Sequence, residues 1–400
     1  MRHLTAVSLL ILIGIVSCFS QSFDRKGIIT GSERTGFYIP KLEDKSVALV
    51  ANHTSLVDSV HLVDTLLSRG IQIKKIFSPE HGFRGDAGAG EGVKSYRDEK
   101  TGLPVVSLYG DKKKPDPDDL EGVDVVVFDI QDVGVRFYTY ISTMHYVMET
   151  CAETGTEFMV LDRPNPNGFY VDGPILDTQY RSFVGMHRIP IVHGMTIAEL
   201  ARMINQEGWL EDGKKCDYEW VSCKNYTHDS LYELPVKPSP NLPNMRSIYL
   251  YPSLCLFEGT IMSVGRGTDF PFQVFGHPDM KNAEMEFTPR SIPGASTNPK
   301  YKGQHCGGID LRDYPLDSLL NEPHIRLKWL KFAYKNTPVA DFFTSYFKKL
   351  SGNHTLLKQI KNGTPAIEIR AGWQKELEQF MEMREKYLFY KDFTRKGTEN

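Results

Sequence analysis

The stretch SPEHGFRG at residues 78–85 sets a carboxylate, an imidazole and a guanidinium close together, and alternating glycines follow it to Gly92. Glu80 follows an apolar run by way of Ser78 and Pro79 and precedes Gly82 by two residues, where the missing side chain lets a ligand approach the backbone. Three other apolar runs end in comparable polar pairs or triplets: Asn52-His53, Asp129 with Gln131 and Asp132, and Asp162-Arg163. Any one of these reads most simply as a cap or turn. Four polar termini on four apolar runs read as a site. Two carboxyl groups facing a substrate could supply general acid catalysis plus nucleophilic or electrostatic support, which is what glycoside hydrolysis requires. If the strand geometry persists, His81 points away from Glu80, since adjacent side chains alternate.

These residues need elements to hold them. Residues 46–54, 73–77, 104–109, 123–132 and 157–168 read as strands. Between them, Val57, Val60, Val63 and Leu67 keep helical spacing up to Gly70, and Ile141, Met144, Met148 and Cys151 mark a helix over 139–153. Alternating strands and helices predict an α/β, Rossmann-like, mostly parallel sheet with ligands at its C-terminal strand ends. Thr196 and Glu199 form a capping box that opens a further helix within 193–208. A C-terminal helix is expected over 372–388, with Trp373, Leu377, Phe380, Met381 and Leu388 as its core face. The expected organisation is a leader at 1–20, a Rossmann-like domain at 21–175, and a smaller C-terminal α/β (or α+β) domain at 176–400 that closes an active-site cleft. The proline-rich segment near 164–174 is the expected join.

Composition narrows the classes. Charged residues make up 24% and net charge is −3, with no basic block, so nucleic acid is not an expected partner. The N-terminus, MRHLTAVSLLILIGIVSCFSQSF, has one arginine followed by an apolar run of signal-peptide length. Cleavage after Ser20 is one reading. The other is a lipoprotein box at Ile-Val-Ser-Cys18 that would anchor the protein to a membrane through a lipidated Cys18. The protein is therefore expected to be exported, periplasmic or lipid-anchored. Cys151, Cys216, Cys223, Cys255 and Cys306 follow the leader without a CxxC pair, so buried free thiols are expected in place of a disulfide framework. GxGxxG fails because Val93 stands at its third glycine, and GxSxG, GxxxxGK[ST] and HExxH are absent. Cys255 reads as a small core residue before it reads as a nucleophile.

SPEHGFRG, DIQDVGVRFYTY, LDRPNPNG, HGMTIAELA, PSPNLPN, LFEGT and GRGTDFPF together resemble the signature blocks of the NamZ-type exo-β-N-acetylmuramidases, bacterial peptidoglycan-recycling glycosidases. The blocks run in the family's order from about residue 46 to the C-terminus. One departure is ANHTS at 51–55, where the family more often has an Asn-Pro-Thr-Gly-like turn. The resemblance implies a two-part fold with its site in the cleft and release of N-acetylmuramic acid from non-reducing ends of cell-wall fragments. It implies no metal or nucleotide, and it marks Glu80 as the leading catalytic carboxylate. Asp129, Asp132 and Glu258 stay open as its partner. Asn52, His81, Arg136, Tyr138, Asp162, Arg163, Asn165, His193, Asn241 and Arg266 are the candidate substrate-binding residues. The muramic sugar carries a lactyl carboxylate, so one of Arg136, Arg163 and Arg266 is expected to bind it. The substrate's acetamido group could act as an internal nucleophile oriented by Asp129 or Asp132. A non-catalytic glycan-binding protein is the alternative, with an esterase or deacylase third. No oligomeric state is indicated.

Overall fold

A computed structural model describes residues 27–84 and 95–394. The leader with Cys18 and most of the glycine run lie outside them. The centre is a seven-stranded sheet of order β5-β6-β4-β1-β7-β8-β9. Its strands are β1 (Ser46–Ala51), β4 (Gln72–Ser78), β5 (Tyr96–Arg97), β6 (Pro104–Ser107), β7 (Val125–Asp129), β8 (Glu157–Leu161) and β9 (Tyr218–Val221). All neighbours pair in parallel except the short edge strand β5. The central strands are near-continuous apolar runs because helices cover both faces.

Alternate residues of one strand feed opposite cores. Val47, Leu49, Val125 and Val127 pack under α1 (Thr35–Leu42) and α2 (Leu62–Ser68). Ala48, Val50, Val126 and Phe128 pack on the other face, under α3 (Tyr140–Thr154) and α4 (Ile197–Gln206). That second core runs without a break through α5 (Met245–Leu254) to Trp329 and Phe380 in the C-terminal part. Truncating fully buried Phe128 to alanine should cost about 3–5 kcal/mol.

The chain leaves β1 towards β4 and β6, then returns to build β7, β8 and β9 on β1's other side. The C-terminal ends of β1 and β7 therefore flank the point where connections diverge, the usual place for a ligand in such sheets. The sheet continues past residue 175, since its last strand is β9. A second, antiparallel sheet follows, with β10 (Val274–His277) and β11 (Met285–Phe287) flanking β12 (Cys306–Asp310). Helices α6 (Leu316–Asn321) to α11 (Gln374–Glu385) complete the C-terminal part.

Two local expectations change. The helical spacing from Val57 is coincidental: Leu56–Val57 (β2) pairs with Val60–His61 (β3) across a tight turn in which Asp58 has φ 54°, and α2 starts only at Leu62. The His61 side chain accepts from the Val63 N–H and so caps that helix. Along and beside α11, Trp373, Leu377 and Phe380 are buried as expected, but Met381 and Leu388, the latter beyond the helix end, are only partly so. Arg384 is fully buried instead, donating from Nε to the Gly194 carbonyl at 3.1 Å and pairing with Asp392 at 2.7 Å.

Candidate active site

Strand β4 stops at Ser78, and the chain reverses at once. His81 takes φ 73° and Gly82 φ 78°. A non-glycine residue pays about 1–2 kcal/mol for that conformation. The reversal overrides strand alternation, so Glu80 and His81 both line one enclosed cavity of about 50 Å³. That volume holds about one or two waters, or one substituent of a ligand, and not a sugar ring. Thr139 Oγ1 donates to Glu80 Oε2 at 3.0 Å, and the Tyr109 hydroxyl is a second hydrogen-bond partner of the carboxyl. Ser239 Oγ lies 3.2 Å from His81 Nε2. The cavity shares Asn241 and Leu242 with an open groove of about 1220 Å³ that follows the PSPNLPN loop and includes His53 and Asp269. The groove is the larger space, and Glu80 lines the smaller cavity.

The opposite wall comes from the C-terminal part. Arg266 donates from Nε to Glu258 Oε1 at 2.6 Å and from Nη2 to Oε2 at 3.3 Å, and its guanidinium lies 5.0 Å from the Phe272 ring centre. Burial alone would push the Glu258 carboxyl up. Arg266, Lys300 and the Cys255 thiol outweigh it and hold the carboxyl below its ordinary value. The Lys300 ammonium sits on the carbonyls of Glu258, Thr260 and Met262. Tyr138, Tyr251 and Phe272 form an edge-to-face row with centroids 5.9 Å and 4.9 Å apart. Tyr138 donates to the Pro238 carbonyl at 2.7 Å, which ties that row to the groove loop. Cys255 is buried, and burial drives its thiol pKa up, so it is no nucleophile.

Several expected site residues instead build the frame. Asp129 and Arg163 form a buried two-point pair at 2.6 and 2.8 Å, and Arg163 also donates to Ser32 Oγ and the Leu56 carbonyl. Asp162 accepts from Thr196 Oγ1, the Ala198 N–H and the Tyr390 hydroxyl, which places it at the start of α4. Arg136 is fully buried and donates to the carbonyls of Pro174, Ile189 and Leu350. Asn165 bridges the Met195 carbonyl and the Asn167 N–H. It also lies 2.3 Å from where a side chain on Gly134 would begin, so that position must stay glycine. None of these five lines the enclosed cavity.

Asn52, Asp132 and His193 form an intermediate layer. All three are buried. Asp132 Oδ2 accepts from the Gly134 N–H at 2.6 Å and lies 3.9 Å from His193 Nε2. Asp132 Oδ1, His193 Nε2, Gln131 Oε1 and Asn52 Nδ2 have no hydrogen-bond partner. Burial pushes the Asp132 carboxyl up to about 7. Burial, with Arg384, His228 and Arg136 nearby, pushes the His193 imidazole down to about 3, so it is neutral.

Glu80, His81, Tyr138, Asn241 and Arg266 thus converge on the cavity, and Glu258 joins through Arg266. Sequence reasoning missed Tyr109, Thr139, Tyr140, Ser239, Tyr251 and Phe272. Tyr109 had a signal, since it closes the third apolar run as Glu80 follows the second. The described residues contain no group of three or more His, Cys, Asp or Glu side chains placed to hold a metal. None of their helices is long and apolar enough to cross a membrane.

The model of the N-terminal part of exo-β-N-acetylmuramidase NamZ matches residues 47–246, and that of its C-terminal part matches residues 249–390. The chain belongs to the NamZ family. It is 43% identical over 374 residues to the peptidoglycan β-N-acetylmuramidase NamZ of Bacillus subtilis (strain 168), covering 88% of this chain and 89% of the relative. A crystal structure of a DUF1343 family protein from Bacteroides fragilis NCTC 9343 superposes with a TM-score of 0.85 at 48% identity, covering 91% of this chain and 99% of that one. A second such protein from the same strain gives 0.77 at 30% identity, over 92% and 100% of the two chains. The family's two parts meet between residues 246 and 249, so the NamZ N-terminal part contributes Glu80 and the C-terminal part contributes Glu258 and Arg266.

Proposed function

We propose that the protein is an exo-acting glycoside hydrolase that releases N-acetylmuramic acid from non-reducing ends of peptidoglycan fragments, with Glu80 as its proton-transferring carboxyl. The observation that carries this reading is the position of Glu80 in a NamZ-family cleft, aimed by Thr139 and Tyr109 and faced by an arginine and an aromatic row. Glu258 joins the cavity wall through its pair with Arg266. Its doubled bond to Arg266 holds its pKa below the ordinary value and suits it to positioning that arginine, not to proton donation. The open groove gives the leaving saccharide a path, and the enclosed cavity ends it.

A chromogenic β-N-acetylmuramic acid glycoside tests the activity. Steady hydrolysis is expected, and binding without hydrolysis would turn the reading towards a non-catalytic glycan-binding protein. Peptidoglycan lies outside the cytoplasmic membrane, so the apolar leader is read as an export signal. N-terminal sequencing of cell-derived protein should start at Cys18 or after Ser20, and an intact Met1 would refute export by cleavage.

A further inference from the structure

We propose that Arg266 is the receptor for the lactyl carboxylate, and so the residue that selects the muramic sugar over N-acetylglucosamine. The inference rests on the glycosidase reading above. Three observations carry it.

Of the three arginines that the sequence offers for this task, only Arg266 lines the cavity that holds Glu80. Arg163 is closed by Asp129, and Arg136, whose Nε also lacks a partner, is held by main-chain carbonyls outside the cavity lining. Next, Glu258 engages Nε and Nη2 of Arg266, while Nη1 is shielded from solvent and has no hydrogen-bond partner. A guanidinium N–H without an acceptor in such a place calls for one, and a carboxylate oxygen gives the strongest bond available. The charge balance also fits. Glu258, Arg266 and Lys300 interact as one negative and two positive groups, which leaves one positive charge unmatched in that wall. Glu80 is the acidic group on the facing wall. A lactyl carboxylate would match the excess positive charge of that wall, whereas the free hydroxyl of N-acetylglucosamine would not.

Glu258 in this account is a positioning residue. Its two contacts fix the plane of the guanidinium so that Nη1 points away from it.

The test compares kcat/KM for three chromogenic β-glycosides: N-acetylmuramic acid, its lactyl methyl ester, and N-acetylglucosamine. The wild-type enzyme should prefer the acid to the ester by about 10²-fold, the range of a charge-assisted pair lost with its partner left unmatched. Arg266→Ala and Arg266→Gln should bring the acid's kcat/KM down to that of the ester measured on the same variant. Arg266→Lys should restore part of the preference. A ratio of two substrates on one preparation does not depend on the folded fraction, so a purely structural arginine would not move it. Wild-type enzyme that treats acid and ester alike overturns the proposal without any variant, and so do variants that keep the wild-type ratio. If wild-type enzyme hydrolyses none of the three, the glycosidase reading falls. The arginine is then judged by calorimetry with N-acetylmuramic acid and N-acetylglucosamine themselves, where equal affinities overturn it.

Discussion

Asp129 ends a strand, Asp162 and Glu80 each follow one, and the three carboxyl groups look alike in the sequence. Their surroundings separate them. Asp129 and Asp162 have no solvent exposure and every contact is internal, with Arg163 for one and the start of α4 for the other. Glu80 is half-buried, and two hydroxyls aim it at a cavity instead of closing it off. A carboxylate whose partners are all protein holds the fold, and one with room for a further partner can do chemistry. Exposure and an adjoining cavity distinguish these cases, and residue type does not.

The largest effect that would break this contrast concerns turnover. Glu80→Gln keeps shape and should lower kcat by about two to four orders of magnitude. Its stability should stay within about 1 kcal/mol of wild type, the worth of an ordinary hydrogen bond. Near-wild-type turnover would return Glu80 to the frame. The converse is Asp129→Ala, which strands the buried Arg163 guanidinium. Denaturant titration should show a loss of about 3–5 kcal/mol, with activity per folded molecule preserved. A selective loss of activity at unchanged stability would move Asp129 into the site.

Glu258→Gln is expected to fall between these two. It loosens Arg266, and misplacement of a positioning group costs up to about 10²-fold. A loss in kcat as deep as that of Glu80→Gln would show that the C-terminal wall supplies chemistry and not only shape.

The smallest effect sharpens the intermediate layer. Burial raises the Asp132 carboxyl to about 7, against about 3.9 in an unfolded chain. Between those values the folded state holds the proton more tightly, so this contribution is fully present below about pH 4 and is lost as pH rises through 7. Wild-type protein should lose about 1–3 kcal/mol more stability between pH 5 and pH 8 than Asp132→Asn does. Equal slopes would mean that Asp132 is ionised throughout.

Much of the frame was legible because it follows from periodicity. The runs read as strands at 46–54, 73–77, 123–132 and 157–168 hold the strands found at 46–51, 72–78, 125–129 and 157–161, and the Thr196/Glu199 box marked the start of α4 correctly. The hairpin at 56–61 was hidden because Val57 and Val60 also satisfy a helical repeat, although Val60 is 50% exposed. In the site, Glu80 and Arg266 were legible from their glycine-flanked blocks. The fates of Arg136 and Arg163 were not, because their acceptors are the Leu350 carbonyl and the Asp129 carboxylate, contacts that only the tertiary fold creates. Tyr109 and Tyr251 carry no motif, and their place in the cleft depends on the strand and helix that deliver them.

The unbroken core beneath the cleft has a consequence for the order in which the molecule comes into being. Glu80 and Arg266 face each other only after the intervening strands and helices have closed around that core, and late-forming, long-range contacts slow folding. Neither wall is a working half. During synthesis or refolding the sheet can form first, while the cavity stays incomplete until β10 and its flanking loops have docked. In refolding from denaturant the far-ultraviolet signal of the sheet should return ahead of glycosidase activity. A nascent chain that lacks the GRGTDFPF segment would be folded in part and catalytically silent.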